Sequence, residues 1–134
     1  MNRDRAIQVS WLLIRVAAAA MFMMTGSTKL FGLFGGMPPG GGTAPVGTLL
    51  WYAGLLEVVG GAAILLGFLT RPVAFILAGD MAVAYFMAHS PRGFFPTLNG
   101  GQLAILFCFV FLYLFVAGGG AWSVDQQRAS SRSR

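Results

Sequence analysis

Charge is what this 134-residue sequence has least of: 10% of its residues are charged while 57% are hydrophobic, against about 25% charged in ordinary soluble domains. A soluble domain of this length leaves much of its surface in water and needs charge to cover it, so a water-soluble globule is excluded. There is one cysteine, Cys108, in the middle of an apolar run, which rules out a disulfide framework and a Cys-x-x-Cys redox pair. The single histidine, His89, cannot ligate a haem on both faces or build a typical zinc site, so no metal is expected. No phosphate loop is present and no nucleophile with its base, and the sequence assigns no catalytic residue. The net charge of +5 does not point to nucleic acid, because the basic residues sit mainly at the ends of apolar runs. The expected partner is the lipid bilayer.

What is present is a set of four continuous apolar runs, at residues 7–31, 48–69, 72–89 and 101–117. A helix needs about 20 residues to cross a hydrocarbon core of about 30 Å, which the first two meet and the last two approach. The runs do not alternate and exceed the roughly 10 residues of a barrel strand. The sequence therefore predicts an all-α polytopic membrane protein, an antiparallel bundle of four transmembrane helices over residues 1–125, with a disordered polar tail at 126–134. The glycine- and proline-rich stretch 32–47 reads as an exposed or interfacial loop, and Thr70-Arg71-Pro72 as a tight turn. Arg3, Arg5, Arg71, Arg128, Arg132 and Arg134 fall on one side and Lys29 and Arg92 on the other. That asymmetry predicts both termini in the cytoplasm. The first run carries Arg15 and has no small-residue cleavage site, and is read as a retained span. Ala53, Gly54, Gly60, Gly61 and Ala62 give the second run a small-residue face for close helix approach.

Three ionisable residues lie inside the runs, Arg15, Glu57 and Asp80. Each is costly in hydrocarbon and has to face the bundle and find a partner. With the cytoplasmic helix ends taken at residues 7, 69 and 72, Arg15 and Asp80 lie about 12 Å deep and Glu57 about 18 Å deep, within about one turn of each other. The expectation is a buried Arg15–Glu57–Asp80 cluster, neutral overall and holding one exchangeable proton. The competing role is a lock on helix register. A second polar layer, Thr25, Lys29, His89, Asn99 and Gln102 with Ser27 and Thr28, is a candidate ligand mouth at the opposite end; helix capping and snorkelling are the plainer roles for these residues. The aromatic row Phe107, Phe109, Phe111, Tyr113 and Phe115 repeats every two residues and so spreads round a helix as lipid-facing and packing surface.

Glu57-Val58-Val59-Gly60-Gly61, Gly67-Phe68-Leu69-Thr70-Arg71-Pro72, Met81 to His89, Asn99-Gly100-Gly101 and Trp122-Ser123-Val124-Asp125, with Arg15 and Lys29-Leu30-Phe31-Gly32, together resemble the DoxX family of bacterial membrane proteins. The resemblance covers nearly the whole chain. It implies a four-helix inner-membrane protein and association with membrane oxidoreductase systems that use quinone. Thr25, Thr28 and Gln102 stand where many members carry histidine, glutamine and glutamate, which removes two titratable groups from the mouth.

The leading expectation is a subunit or accessory component of a membrane oxidoreductase system, binding quinone or another amphipathic ligand within the bundle, with no intrinsic cofactor and a redox partner supplying the electrons. A small-molecule or proton-coupled transporter, a homo-oligomeric permeation unit and a structural assembly subunit stay open as alternatives.

Overall fold

The computed structural model describes residues 2–133. Among them the main elements are all helices: α1 (Arg3–Phe31), α2 (Leu49–Leu66), α3 (Thr70–Ala84), a short α4 (Pro96–Asn99), α5 (Gln102–Ala117) and α6 (Val124–Arg132). Beyond Ala84, α3 continues through a π-helical turn at Tyr85–His89 and a 3₁₀ turn at Ser90–Arg92. Three helical stretches, Arg3–Phe31, Leu49–Leu66 and Thr70–Arg92, are long and apolar enough to cross a membrane, and α5 is a shorter apolar helix of 16 residues.

The helix ends follow local chemistry. At α1 the Asn2 side chain accepts the Arg5 N–H at 2.9 Å and Asp4 adds an acid in the first turn, so this helix starts a turn before residue 7. Thr48 caps α2 in the same way, and Gly67 closes it in the left-handed region at φ 68°. Where the sequence reading placed a polar tail, at 126–134, the chain is helical through Arg132, residue 134 lying outside the described residues. Ser123 Oγ accepts the Gln126 N–H at 3.2 Å, Asp125 occupies the first turn, and the Arg128 guanidinium lies 5.0 Å from the Phe68 ring centre.

In lipid no hydrophobic force draws helices together, so association rests on close packing. The pair α1 and α2 run antiparallel and touch at Gly26, where a Cβ would come within 2.7 Å of the Gly54 carbonyl and 2.8 Å of Glu57 Cβ. Next, α2 meets α3 at Gly60, against Leu77, and α3 runs antiparallel to α5 from Phe75–Phe115 to Tyr85–Gly101. Phe22, Ile64, Leu77, Phe111 and Leu114 form a fully buried centre, with Phe22 edge-on to Phe111 at 4.9 Å. The aromatic row of α5 splits: Phe107 and Phe111, one turn apart, enter the core, while Phe109 and Tyr113 point outward. Outward positions elsewhere are also apolar, among them Leu13, Val59, Phe75 and Val116. A surface of this kind suits hydrocarbon and not water.

Gly26→Leu is expected to lower the melting temperature of the detergent-solubilised protein or abolish its monodisperse folding, because overpacking at a backbone crossing costs about 1–3 kcal/mol or more. Gly79→Leu, at an open position on α3, is the control and should leave the melting temperature unchanged; equal losses in both would show that the crossing is not tightly packed.

Candidate functional site

The ionisable residues separate into two groups at opposite ends of the helices. Arg15 does not join Glu57 and Asp80. It is buried against the segment after α5, its Nη1 donating to the Gly119 carbonyl and its Nη2 to the Trp122 carbonyl at 2.7 Å. The reason is register. The first helix begins at Arg3 and overhangs α2, so Arg15 is level with Gly67, where a Cβ would meet its Nη1 at 2.8 Å. Depth counted from residue 7 therefore placed Arg15 too far along the bundle.

Around Arg15 the chain is stitched to α1 and to the α2–α3 turn. Trp11 Nε1 donates to the Gly118 carbonyl at 3.2 Å, and Gln8 Oε1 accepts the Ala121 N–H at 3.0 Å. Asp125 takes the Leu69 and Thr70 N–H groups on its two oxygens, each at 2.8 Å, and thereby caps α3, whose own N-cap Leu69 (φ 47°) supplies no side-chain bond. Burial by itself would raise the Asp125 pKa, but these N–H donors and Arg128 outweigh it and hold the carboxyl below its ordinary value. This clasp explains Trp122-Ser123-Val124-Asp125 as a structural motif, a role that nothing in its spacing announced.

At the other end, Lys29 of α1 forms an ion pair with Glu57 of α2 across the Gly26–Gly54 crossing. These are the chain's only lysine and only glutamate. The Glu57 side chain is 1% exposed and that of Lys29 19%. Asp80 of α3 lines the same cavity as both. Lys29 thus takes the place expected of Arg15. Glu57 Oε2 and Asp80 Oδ2 are buried and have no hydrogen-bond partner.

The three residues line a cavity of about 530 Å³ between α1, α2, α3 and α5, within the range of small-molecule sites. Its walls are otherwise apolar, with Phe22, Leu50, Met81, Met87, Leu103 and Phe107 prominent, and Pro38 of the 32–47 loop also borders it. Of the expected mouth residues, Lys29, Thr25 and His89 line the cavity. The Thr25 hydroxyl donates back to the Met21 carbonyl at 3.1 Å and keeps its lone pairs for another donor. His89 Nδ1 lies 3.1 Å from both the Asn99 carbonyl and Arg92 Nη2, and one tautomer serves only one of these contacts.

Asn99 and Gln102 are not in the cavity wall. Asn99 is buried as a strut: its Nδ2 donates to the Gly93 carbonyl at 2.7 Å and to the Tyr85 hydroxyl at 3.3 Å, and its Oδ1 accepts the Gly101 N–H. Gln102 is exposed and reaches only Thr97, at 3.5 Å.

A family model described as DoxX matches residues 10–90. A protein of Haemophilus influenzae described as uncharacterized is 41% identical over 118 residues, covering 85% of this chain and 87% of its own length. The inner membrane protein YqjF of Escherichia coli (strain K12) is 32% identical over 127 residues, covering 88% and 91%. No solved structure matches the chain significantly.

Asp125 carries the sharpest expectation at the clasp. A carboxyl whose folded pKa is depressed stabilises the fold above its unfolded value near 3.9 and loses that stabilisation as pH falls through the folded value. Melting followed against pH should therefore show a decline below about pH 4 that Asp125→Ala lacks, the variant being less stable at neutral pH by about 0.5–2 kcal/mol. Parallel curves for the two proteins would show that the cap does not contribute.

Proposed function

The chain belongs to the DoxX family of integral membrane proteins, and on that premise we propose that it is a bacterial inner-membrane protein that holds an amphipathic ligand between its helices. The observation that carries this reading is the fully buried Glu57, with one oxygen paired to Lys29 and the other unpaired, in a cavity whose remaining wall is almost wholly apolar. A buried polar group without a partner costs about 1–3 kcal/mol. A bound head group in this cavity would recover that cost, while an alkyl or isoprenoid tail would lie along the methionine and leucine walls.

The four-span arrangement belongs to the same proposal. The short α5 pairs antiparallel with α3 along its length, which supports its crossing as the fourth helix with modest thinning of the bilayer. Six arginines lie on the side of the chain ends, against Lys29 and Arg92 on the other, which supports cytoplasmic termini and a cavity placed toward the outer half of the bilayer. Quinone is the ligand that joins this shape to the oxidoreductase reading: its carbonyls would accept from the Lys29 ammonium and from His89 in the suitable tautomer. The lone Cys108 and the lone His89 offer no electron relay, so electrons would come from a partner protein.

Filling the cavity tests the reading. Ala53 lines it, and Ala53→Phe is expected to weaken binding of a short-chain quinone or other retained amphiphile by about tenfold or more while leaving the fold intact, since the added ring occupies ligand volume. Mass spectrometry of small molecules retained by the wild-type protein and absent from the variant gives the second readout. Retention unchanged by the substitution would place the ligand elsewhere.

A further inference from the structure

We propose that the cavity takes an amphipathic organic monocation in exchange for one proton. This rests on the reading of the cavity as a ligand site and goes beyond it to the ligand's charge. The groups that border the cavity and titrate are Lys29 from α1, Glu57 from α2, Asp80 from α3 and His89 from the π turn. Gly100, Leu103, Ala104 and Phe107, before and along α5, and Pro38 from the loop, bring none. Arg92 meets His89 at 3.1 Å but does not itself line the cavity. With His89 neutral, one base and two acids leave a formal charge of −1 inside an apolar wall.

A net charge in such surroundings is expensive, and one positive unit has to balance it. Arg15 does not supply it, being held by the Gly119 and Trp122 carbonyls at the other end. A proton on one carboxyl supplies it in the empty state; a cation supplies it when bound. The unpaired oxygens Glu57 Oε2 and Asp80 Oδ2 are the acceptors that either occupant would satisfy, and Glu57 is fully buried among the lining residues. Phe22 and Phe107 add aromatic rings to the wall, surfaces that favour an organic cation. An anion of the same shape would raise the charge to −2 and is rejected. The exchange balances: the protonated site and an aqueous cation become the cation complex and one aqueous proton, lost from the Asp80 or Glu57 carboxyl.

The test uses the full chain in detergent and three probes: tetraphenylphosphonium, whose charge does not titrate; tetraphenylborate, of the same shape and opposite sign; and a decyl-substituted quinone. Tetraphenylphosphonium is expected to bind with release of about one proton and to tighten by about tenfold per pH unit wherever the free site is protonated. Tetraphenylborate should not compete. Asp80→Asn should weaken cation binding and abolish the proton release; the wild-type proton count decides the matter if that variant does not fold. Equal binding of the two tetraphenyl ions, or cation binding without proton release, would overturn the exchange while leaving a ligand cavity. Binding of the quinone alone, independent of pH, would overturn the cation class and keep the amphipathic-ligand reading. Binding of none of the three would sink both.

Discussion

An ammonium and a carboxylate held together between two helices inside an apolar bundle set the conditions for the rest of this fold. Lys29 and Glu57 meet because α1 and α2 cross at backbone distance, and they cross so closely because Gly26 and Gly54 put no side chain between them. Removing one member of such a pair strands the other at a cost of about 3–5 kcal/mol. The glycines and the ion pair are thus one device: the missing Cβ atoms permit the contact, and the contact makes any other register of the two helices expensive. Lysine suits this place, since a flexible stem carries a compact charge with three donors to whatever acceptors converge on it.

The two ends of the bundle solve the problem of buried charge in opposite ways. Around Arg15 the charged groups reach the backbone: a planar guanidinium donates to two backbone carbonyls, Asp125 accepts two backbone N–H groups, and Gln8 and Trp11 complete the seam, with Arg15 Nε and the Thr70 hydroxyl left unpaired. Such an arrangement fixes the chain. Around Lys29 the count is left open, with two acids to one base and two carboxyl oxygens unpaired beside a cavity.

Sequence reasoning reached the helices and missed the register. Continuous apolar runs, the Gly/Pro loop and the Thr70 turn are local signals, so the long apolar helices could be read directly. Depth is not a local quantity. The overhang of α1 depends on Asn2 and Asp4 extending the helix to Arg3, and where the sequence count put Arg15 about 12 Å deep the fold sets it level with Gly67 at the end of α2, in the clasp. Lys29, set among the mouth residues, looked like an interfacial lysine because its partner lies 28 residues away on another helix. A signal for the pairing did exist, in that the chain holds a single lysine and a single glutamate. Asn99 was indistinguishable from a ligand group because its three hydrogen bonds run to a hydroxyl and to backbone groups that only the fold brings near. The helix from Val124 to Arg132 was hidden by its polarity, since its stability comes from the Ser123 cap and from Arg128 over Phe68.

The shape of the cavity limits what binding can accomplish in this conformation. Phe22 forms part of its wall and also packs edge-on against the fully buried Phe111, with Leu77, Ile64 and Leu114 closing the centre of the bundle. The apolar-walled cavity thus lies in the half that bears Lys29, while a more polar hollow of about 580 Å³, bordered by Gln8, Trp11, Thr70, Gly118 and Asp125, lies at the Arg15 end. A π turn, which departs from regular α-helical spacing and is common at functional sites, brings Met87, Ala88 and His89 into the wall on the Lys29 side. In the exchange proposed above, ligand and proton would therefore enter and leave at the same end. Movement of a ligand across the bilayer would require the Phe22–Phe111 seam to part, breaking the aromatic packing that joins α1 to α5. Without that opening, the ligand reading proposed above would make the cavity a one-sided receptor, its affinity for a cation set by how many protons the two acids hold.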